Sequence, residues 1–179
     1  MMRCSLVVAI CVVFAACSIS EGQADPTRSA SDRFEGLSSW VKTRRGFELL
    51  RKSDLASLDQ VFQRFGLRRT STTQFLGTQW SGTDSSGSLR LSLESNAGDD
   101  RGSAEYTPAT QRPLQPQVLS FLLARPGLSF EMAGGETFQI AWLAAGEEPG
   151  CETLTQMKID AMSGALIQHR VSGRCAPQK

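Results

Sequence analysis

The sequence predicts an α+β fold, with N-terminal helices packed on a mostly antiparallel sheet and a disulfide-stapled β-hairpin near the C-terminal end. Three observations carry this. Apolar residues recur at helical spacing between Phe34 and Phe65. Leu89, Leu91 and Leu93 then alternate strictly with polar residues, as a half-buried strand does. Finally, Cys151 and Cys175 stand twelve residues either side of Ser163.

The chain has 179 residues, a formal net charge of +1, 40% hydrophobic and 21% charged residues. Such a composition fits one ordinary globular domain. The near-neutral balance gives no global reason to expect nucleic acid as a partner.

The first residues read as a leader. Arg3 supplies a positive charge, and Leu6–Ala16 is apolar throughout. A bilayer span takes roughly 20 apolar residues, so this run is a signal peptide rather than an anchor helix. Its end, "FAAC" at Phe14–Cys17, resembles the lipobox of bacterial lipoproteins, although Phe14 stands where that pattern usually has Leu. The resemblance implies a signal peptide over 1–16 and lipidation of Cys17. It also implies an outer-membrane address facing the periplasm, which Ser18 permits. A second cut fits as well. "GQA" at Gly22–Ala24 would release a soluble periplasmic or secreted protein. Residues 17–33, rich in Ser, Gly, Ala, Pro and Asp, read as a flexible tether. Residues 34–179 read as a single α+β domain.

Of five cysteines, Cys4 and Cys11 leave with the leader, and Cys17 is lipidated or removed. Cys151 and Cys175 remain, in a compartment that oxidises thiols. A hairpin turning at "AMSG", Ala161–Gly164, sets them opposite each other. Odd positions, including Met157, Ile159, Ile167, His169 and Val171, then share a mostly apolar face. Leu154 and Leu166 are the exceptions.

The remaining elements follow in order. Phe34, Leu37, Trp40 and Val41 mark a helix, with Gly46 as a breaker. "SLDQVFQRFG" is the clearest helix: Ser57 and Gln60 match a capping box, and Gly66 sits at the C-cap. "TTQFLGTQW" reads as a strand, and "SGTDSSGS" and "SNAGDDRGS" as loops around the leucine strand. "AEYTPA" reads as an edge strand, "TQRPLQPQ" as a Pro-broken connection and "VLSFLLARPG" as a helix. "LSFEM" and "ETFQIAWLA" read as strands. No internal repeat is visible.

Charge is uneven. Lys42–Arg69 holds eight Lys/Arg and three Asp/Glu. Within it Arg44, Arg45, Arg51, Lys52, Arg68 and Arg69 are candidate binding residues for phosphate head groups or an acidic protein. His169, the one histidine, faces the core side of the hairpin. No G-x-S-x-G elbow, H-E-x-x-H or phosphate loop occurs, and "GDDRG" lacks the spaced acids of a calcium loop. No metal or cofactor is expected. "SLDQVFQRFG" followed by a strand ending in Trp80 is similar to small envelope lipoproteins of the outer-membrane assembly type, over one helix and a few residues.

The functional expectation is an exported, lipid-anchored bacterial envelope protein that binds another macromolecule without catalysis. An immunity protein or inhibitor is one specific form, with a protein or envelope component as partner. The alternative is a periplasmic or secreted hydrolase acting on cell-wall or carbohydrate substrates through carboxylates.

Overall fold

A computed structural model describes residues 26–176 apart from 53, 74–76, 97–98 and 147. The leader, Cys17 and the first part of the tether lie outside the described residues. No helix among the described residues is long and apolar enough to cross a membrane.

Helix α1, Ala30–Lys42, begins where Ser29 caps the backbone N–H of Asp32 at 3.3 Å. It starts inside the stretch read as tether. Ala30, Phe34, Leu37 and Val41 fall on its buried face. Helix α2, Arg45–Arg51, follows after a break at Thr43–Arg44. Gly46, expected as the breaker, lies inside α2 instead, where an added Cβ would stand 3.1 Å from Leu93 of the sheet. Helix α3, Leu55–Gln63, is capped by Asp54, whose side chain accepts from the Ser57 N–H at 3.3 Å. The true cap thus lies three residues before the expected Ser57. Its C-terminal end closes as expected at Gly66, φ 75°, with Leu67 N–H bonded to Phe62 C=O.

Two four-stranded meanders follow. The first is β1 (Arg68–Thr73), β2 (Gly77–Asp84), β3 (Gly87–Asn96) and β4 (Asp99–Pro108). Helix α4, Pro116–Leu123, leads into the second: β5 (Ser129–Met132), β6 (Thr137–Ala145), β7 (Cys151–Asp160) and β8 (Leu166–Cys175). The meanders join through their last strands into one antiparallel sheet of order β1-β2-β3-β4-β8-β7-β6-β5. Each half is therefore helix first, meander second, an architectural repeat that leaves no repeat in the sequence. The α+β class holds.

Several local readings change. "TTQFLGTQW" spans the end of β1 and the start of β2, two antiparallel strands rather than one. The "SGTDSSGS" loop shrinks to Ser85–Ser86, because β2 runs to Asp84 and β3 starts at Gly87. "DDRGS" is strand, and "AEYTP" is no edge: β4 lies between β3 and β8. α4, β5 and β6 form where the sequence predicts them.

The hairpin also forms as predicted. Cys151 pairs with Cys175 and Met157 with His169, and the two sulfurs are 2.06 Å apart. The turn is set by Asp160, whose carboxylate accepts from the Ser163 N–H at 2.7 Å, and by Gly164 at φ 68°. A bulge near Lys158 and Ile159 shifts the register so that Ile159 meets Leu166. That shift turns Leu166, an exception to the predicted faces, into the core beside Ile159 and Met157.

The seam between β4 and β8 places the helices. Its inner face reads Asp100/Cys175, Gly102/Gly173, Ala104/Val171 and Tyr106/His169. α1 lies along it, with Phe34 over the Tyr106/His169 end and Val41 over the glycines. A Cβ on Gly173 would fall 1.6 Å from the Val41 carbonyl oxygen, so only glycine lets the helix backbone come this close. α2 packs on β3 and α3 on β1. The main core carries an aromatic chain of Trp40, Phe62 and Trp80, with centroids 5.2 and 4.8 Å apart. Leu122, Ile140, Met157 and Ile159 form a smaller second core under α4.

Two outcomes test this account. Reducing the disulfide opens the loop it closes in the unfolded chain and raises that chain's entropy, which the chain-entropy model converts to a loss of about 3–4 kcal/mol; denaturant titration with and without reductant reads it. Gly173→Ala forces α1 off the seam and lowers stability by about 2–3 kcal/mol. Gly102→Ala costs less by the same titration, because its new Cβ meets side-chain tips at 3.0 Å.

Candidate functional site

The basic segment comes apart in the fold. Arg44 is buried; it reaches Glu148 at 3.4 Å and the Ala176 carbonyl at 3.2 Å. Arg51 donates to Asp100 at 2.6 Å, beside Ser95. Arg69 pairs with Asp59 at 3.1 Å, and Asp59 also accepts from the Trp80 indole at 2.7 Å. Arg45 lies over the Trp40 ring at 5.1 Å. Lys52 and Arg68 are exposed, on α2's end and on β1. Arg44, Arg51 and Arg69 thus hold helices and the C-terminal segment to the sheet.

"GDDRG" is divided by the strand pleat. Asp100 faces inward to Arg51, while Asp99 meets Arg101 at 2.5 Å and Arg174 at 2.8 Å. Those two arginines hold the Asp99 carboxyl below its usual range. No cluster of three or more His, Cys, Asp or Glu able to hold a metal occurs among the described residues.

His169 sits on the seam beneath α1, its ring 4.6 Å from Phe34. Its Nε2 is buried without a hydrogen-bond partner. Burial, and then the charge of Lys42, push its pKa down to about 4. A ring so placed keeps its neutral form in the fold at neutral pH.

The sheet face away from the helices is polar and carries charges of both signs in register across its strands. Arg90 pairs with Glu105 and Glu105 with Arg170. Glu94 pairs with Arg101, Arg101 with Arg174 and Arg174 with Glu152. Between these rows lie Ser92, Ser103 and Ser172. The row continues to Leu154 and Leu143 over a shallow depression of about 510 Å³. Arg101 and Arg174 stand opposite each other as like charges, and the Asp99 carboxylate that pairs with both offsets their repulsion.

The contrasting surface lies on the helix side, over the second meander. α1 buries seven of its thirteen residues, whereas α4 buries only Leu122 of eight. Phe121 is 63% exposed, and Phe130 and Met132 of β5 are each 58% exposed, with Val118 and Leu123 exposed beside them. Phe130 stacks on Phe138 at 5.1 Å. Arg125 closes one end. Its guanidinium lies 5.0 Å from the Phe121 ring centre and 4.8 Å from that of Trp142. Its Nε is buried without a partner, a desolvation cost of about 1–3 kcal/mol.

Comparison with protein-family models, with curated proteins and with solved structures finds no match for this chain.

The candidate site therefore rests on geometry: an apolar, under-covered face built by α4, β5 and β6. Sequence reasoning identified its elements and missed its exposure. One signal was legible, since Phe121 and Arg125 stand at i and i+4 across the end of α4 and so meet on one side.

His169 generates a pH prediction. The unfolded ring titrates near 6.5 and the folded ring near 4. As pH falls from 6.5 to 4 the unfolded chain takes up a proton that the fold refuses, so stability drops by about 3 kcal/mol over that window. The lowered pKa values of Asp84, Asp99 and Asp160 place their losses below 3.8, outside it. Thermal melts between pH 7 and 4 should show this slope, and His169→Gln should flatten it.

Proposed function

We propose that this chain is an exported, lipid-anchored bacterial envelope protein that binds another macromolecule without catalysing a reaction on it, an immunity or inhibitor role being the most specific form. The single observation that carries the binding role is the α4–β5 face. Phe121 of α4 and Phe130 and Met132 of β5 present their side chains to solvent on the helix side of the second meander, and a concentration of large exposed apolar side chains marks interaction sites on stable proteins. The rest of the molecule is arranged for permanence rather than turnover. On the polar sheet face Asp99 pairs with Arg101 and Arg174, and His169 packs against Phe34 of α1.

The address has separate support. The apolar run Leu6–Ala16 ending in Phe14–Cys17 provides an export signal and a lipidation residue. The Cys151–Cys175 bridge suits a compartment that oxidises thiols. Anchored at Cys17, the domain stands at the outer membrane facing the periplasm.

Purification of the native chain from its envelope tests both parts. Its mature N-terminus should be a diacylated Cys17. A protein or envelope-component partner should co-purify with the wild type and be lost from the Phe121→Asp/Phe130→Asp variant. Losing the Phe130–Phe138 stack should cost the variant about 0.5–1.5 kcal/mol, and its thermal melt shows that it stays folded. Retention of the partner by the folded variant overturns the docking face, and a mature chain beginning at Asp25 overturns the anchor.

A further inference from the structure

Given the α4–β5 face as the docking surface, three features define the partner that fits it. The first is an open edge. β5 ends the sheet order, so among the described residues the outer backbone groups of its four residues face no neighbouring strand. An extended segment can add there by main-chain hydrogen bonds. The second is the side-chain rhythm. Phe130 and Met132 pair with Ile140 and Phe138 on the helix side, while Ser129 and Glu131 point to the other face. An added strand would set every second side chain on the helix-side face of the sheet, beside Phe130 and Met132.

The third is Arg125. Its guanidinium is held between the rings of Phe121 and Trp142, and no carboxylate among the described residues pairs with it. Stacking uses the two faces of the guanidinium and leaves its in-plane N–H edge for an anion. Its Nε has no acceptor within the fold. Trp142 follows Ala141, the partner of Ser129, so this cation stands at the Ser129 end of β5. A cation fixed in an apolar wall without a counter-charge selects a ligand that brings one.

We infer that the partner is a protein segment in extended form that adds to the β5 edge, with apolar side chains at alternate positions and one carboxylate, from Asp, Glu or a chain end, meeting Arg125. The apolar side chains supply the buried area. The carboxylate sets register and direction, because only one alignment brings it to the Ser129 end.

The test uses the full mature chain, disulfide intact, as bait for a displayed library of random linear octapeptides. Selected peptides should alternate apolar residues and carry an acid toward one end. Arg125→Gln should weaken the best peptide about tenfold or more, as should the Glu-to-Gln change in the peptide, and the two together should cost little more than one. Arg125→Lys keeps the charge and loses the planar fork, so it should recover only part. Thermal melting of each variant separates misfolding from lost recognition. Peptides that need Phe121 but ignore Arg125→Gln overturn the acidic-strand inference and leave the docking face standing. Peptides indifferent to both Phe121→Ser and Arg125→Gln overturn both. Failure to select any peptide, with Phe121-dependent sedimentation on phosphatidylglycerol vesicles, replaces the peptide partner with a lipid surface.

Discussion

The structure depends on the close approach of α1 to the β4–β8 seam. Gly102 and Gly173 stand side by side in adjacent strands; the bare Gly173 lets the Val41 backbone rest on the sheet, and Gly102 leaves room for the Val41 side chain. Ala104 and Val171 continue the small floor, and Tyr106 with His169 close it under Phe34. The seam is also where the two meanders become one sheet. One helix thus locks two halves that share a single strand pairing. The next row outward is Asp100 beside Cys175, where the Arg51 ion pair and the disulfide meet. Helix contact, charge pairing and covalent bond converge on one end of one seam.

The two halves are covered unequally. Three helices shield the first meander, and their buried arginines tie them down: Arg33 to Asp84 and the Phe65 carbonyl, Arg44 to Glu148. Over the second meander α1 reaches β8 and β7 at the seam, and α4 covers a smaller core of four buried residues beyond it. The pinned connection before it adds little cover, with Leu114 N–H bonded to Gly164 C=O and Pro113 bridged to Ala165. The shortage of cover, rather than any cluster of reactive groups, distinguishes the second half. Hydrophobic burial is proportional to area removed from water, so a face left open there is a reserve of binding free energy.

What the sequence disclosed followed from how local each signal was. The hairpin was legible because its register is set by a turn of a few residues, and both cysteines inherit it. The leucines of β3 and the Gly66 cap were legible for the same reason. Misreadings arose where glycine and serine serve packing instead of turning. A Cβ on Gly82 would lie 2.1 Å from the Gly66 carbonyl, so β2 carries glycine for contact with the α3 end, and its composition resembles a loop. The same holds for Gly102 in β4. Non-local pairing was invisible: nothing in "AEYTPA" shows that Ala104 will lie beside Val171. The charge surplus of Lys42–Arg69 was visible, but its partners Glu148, Asp100 and Asp59 are set by the fold. At the candidate face, helix and strand periodicity were readable, while exposure depends on how many helices arrive to cover them.

The joining of the halves through their last strands bears on how the chain is made. While the ribosome delivers it from the N-terminal end, helices α1 to α3 and strands β1 to β4 emerge first and can assemble. The free margin of β4 must then wait for β8, with α4 and three further strands still to come. Such a margin invites pairing with neighbouring chains, and distant strand pairing is slow. A nascent chain of this topology therefore gains from being held unfolded until β8 is available, and premature release from a holding chaperone would be punished by aggregation at β4.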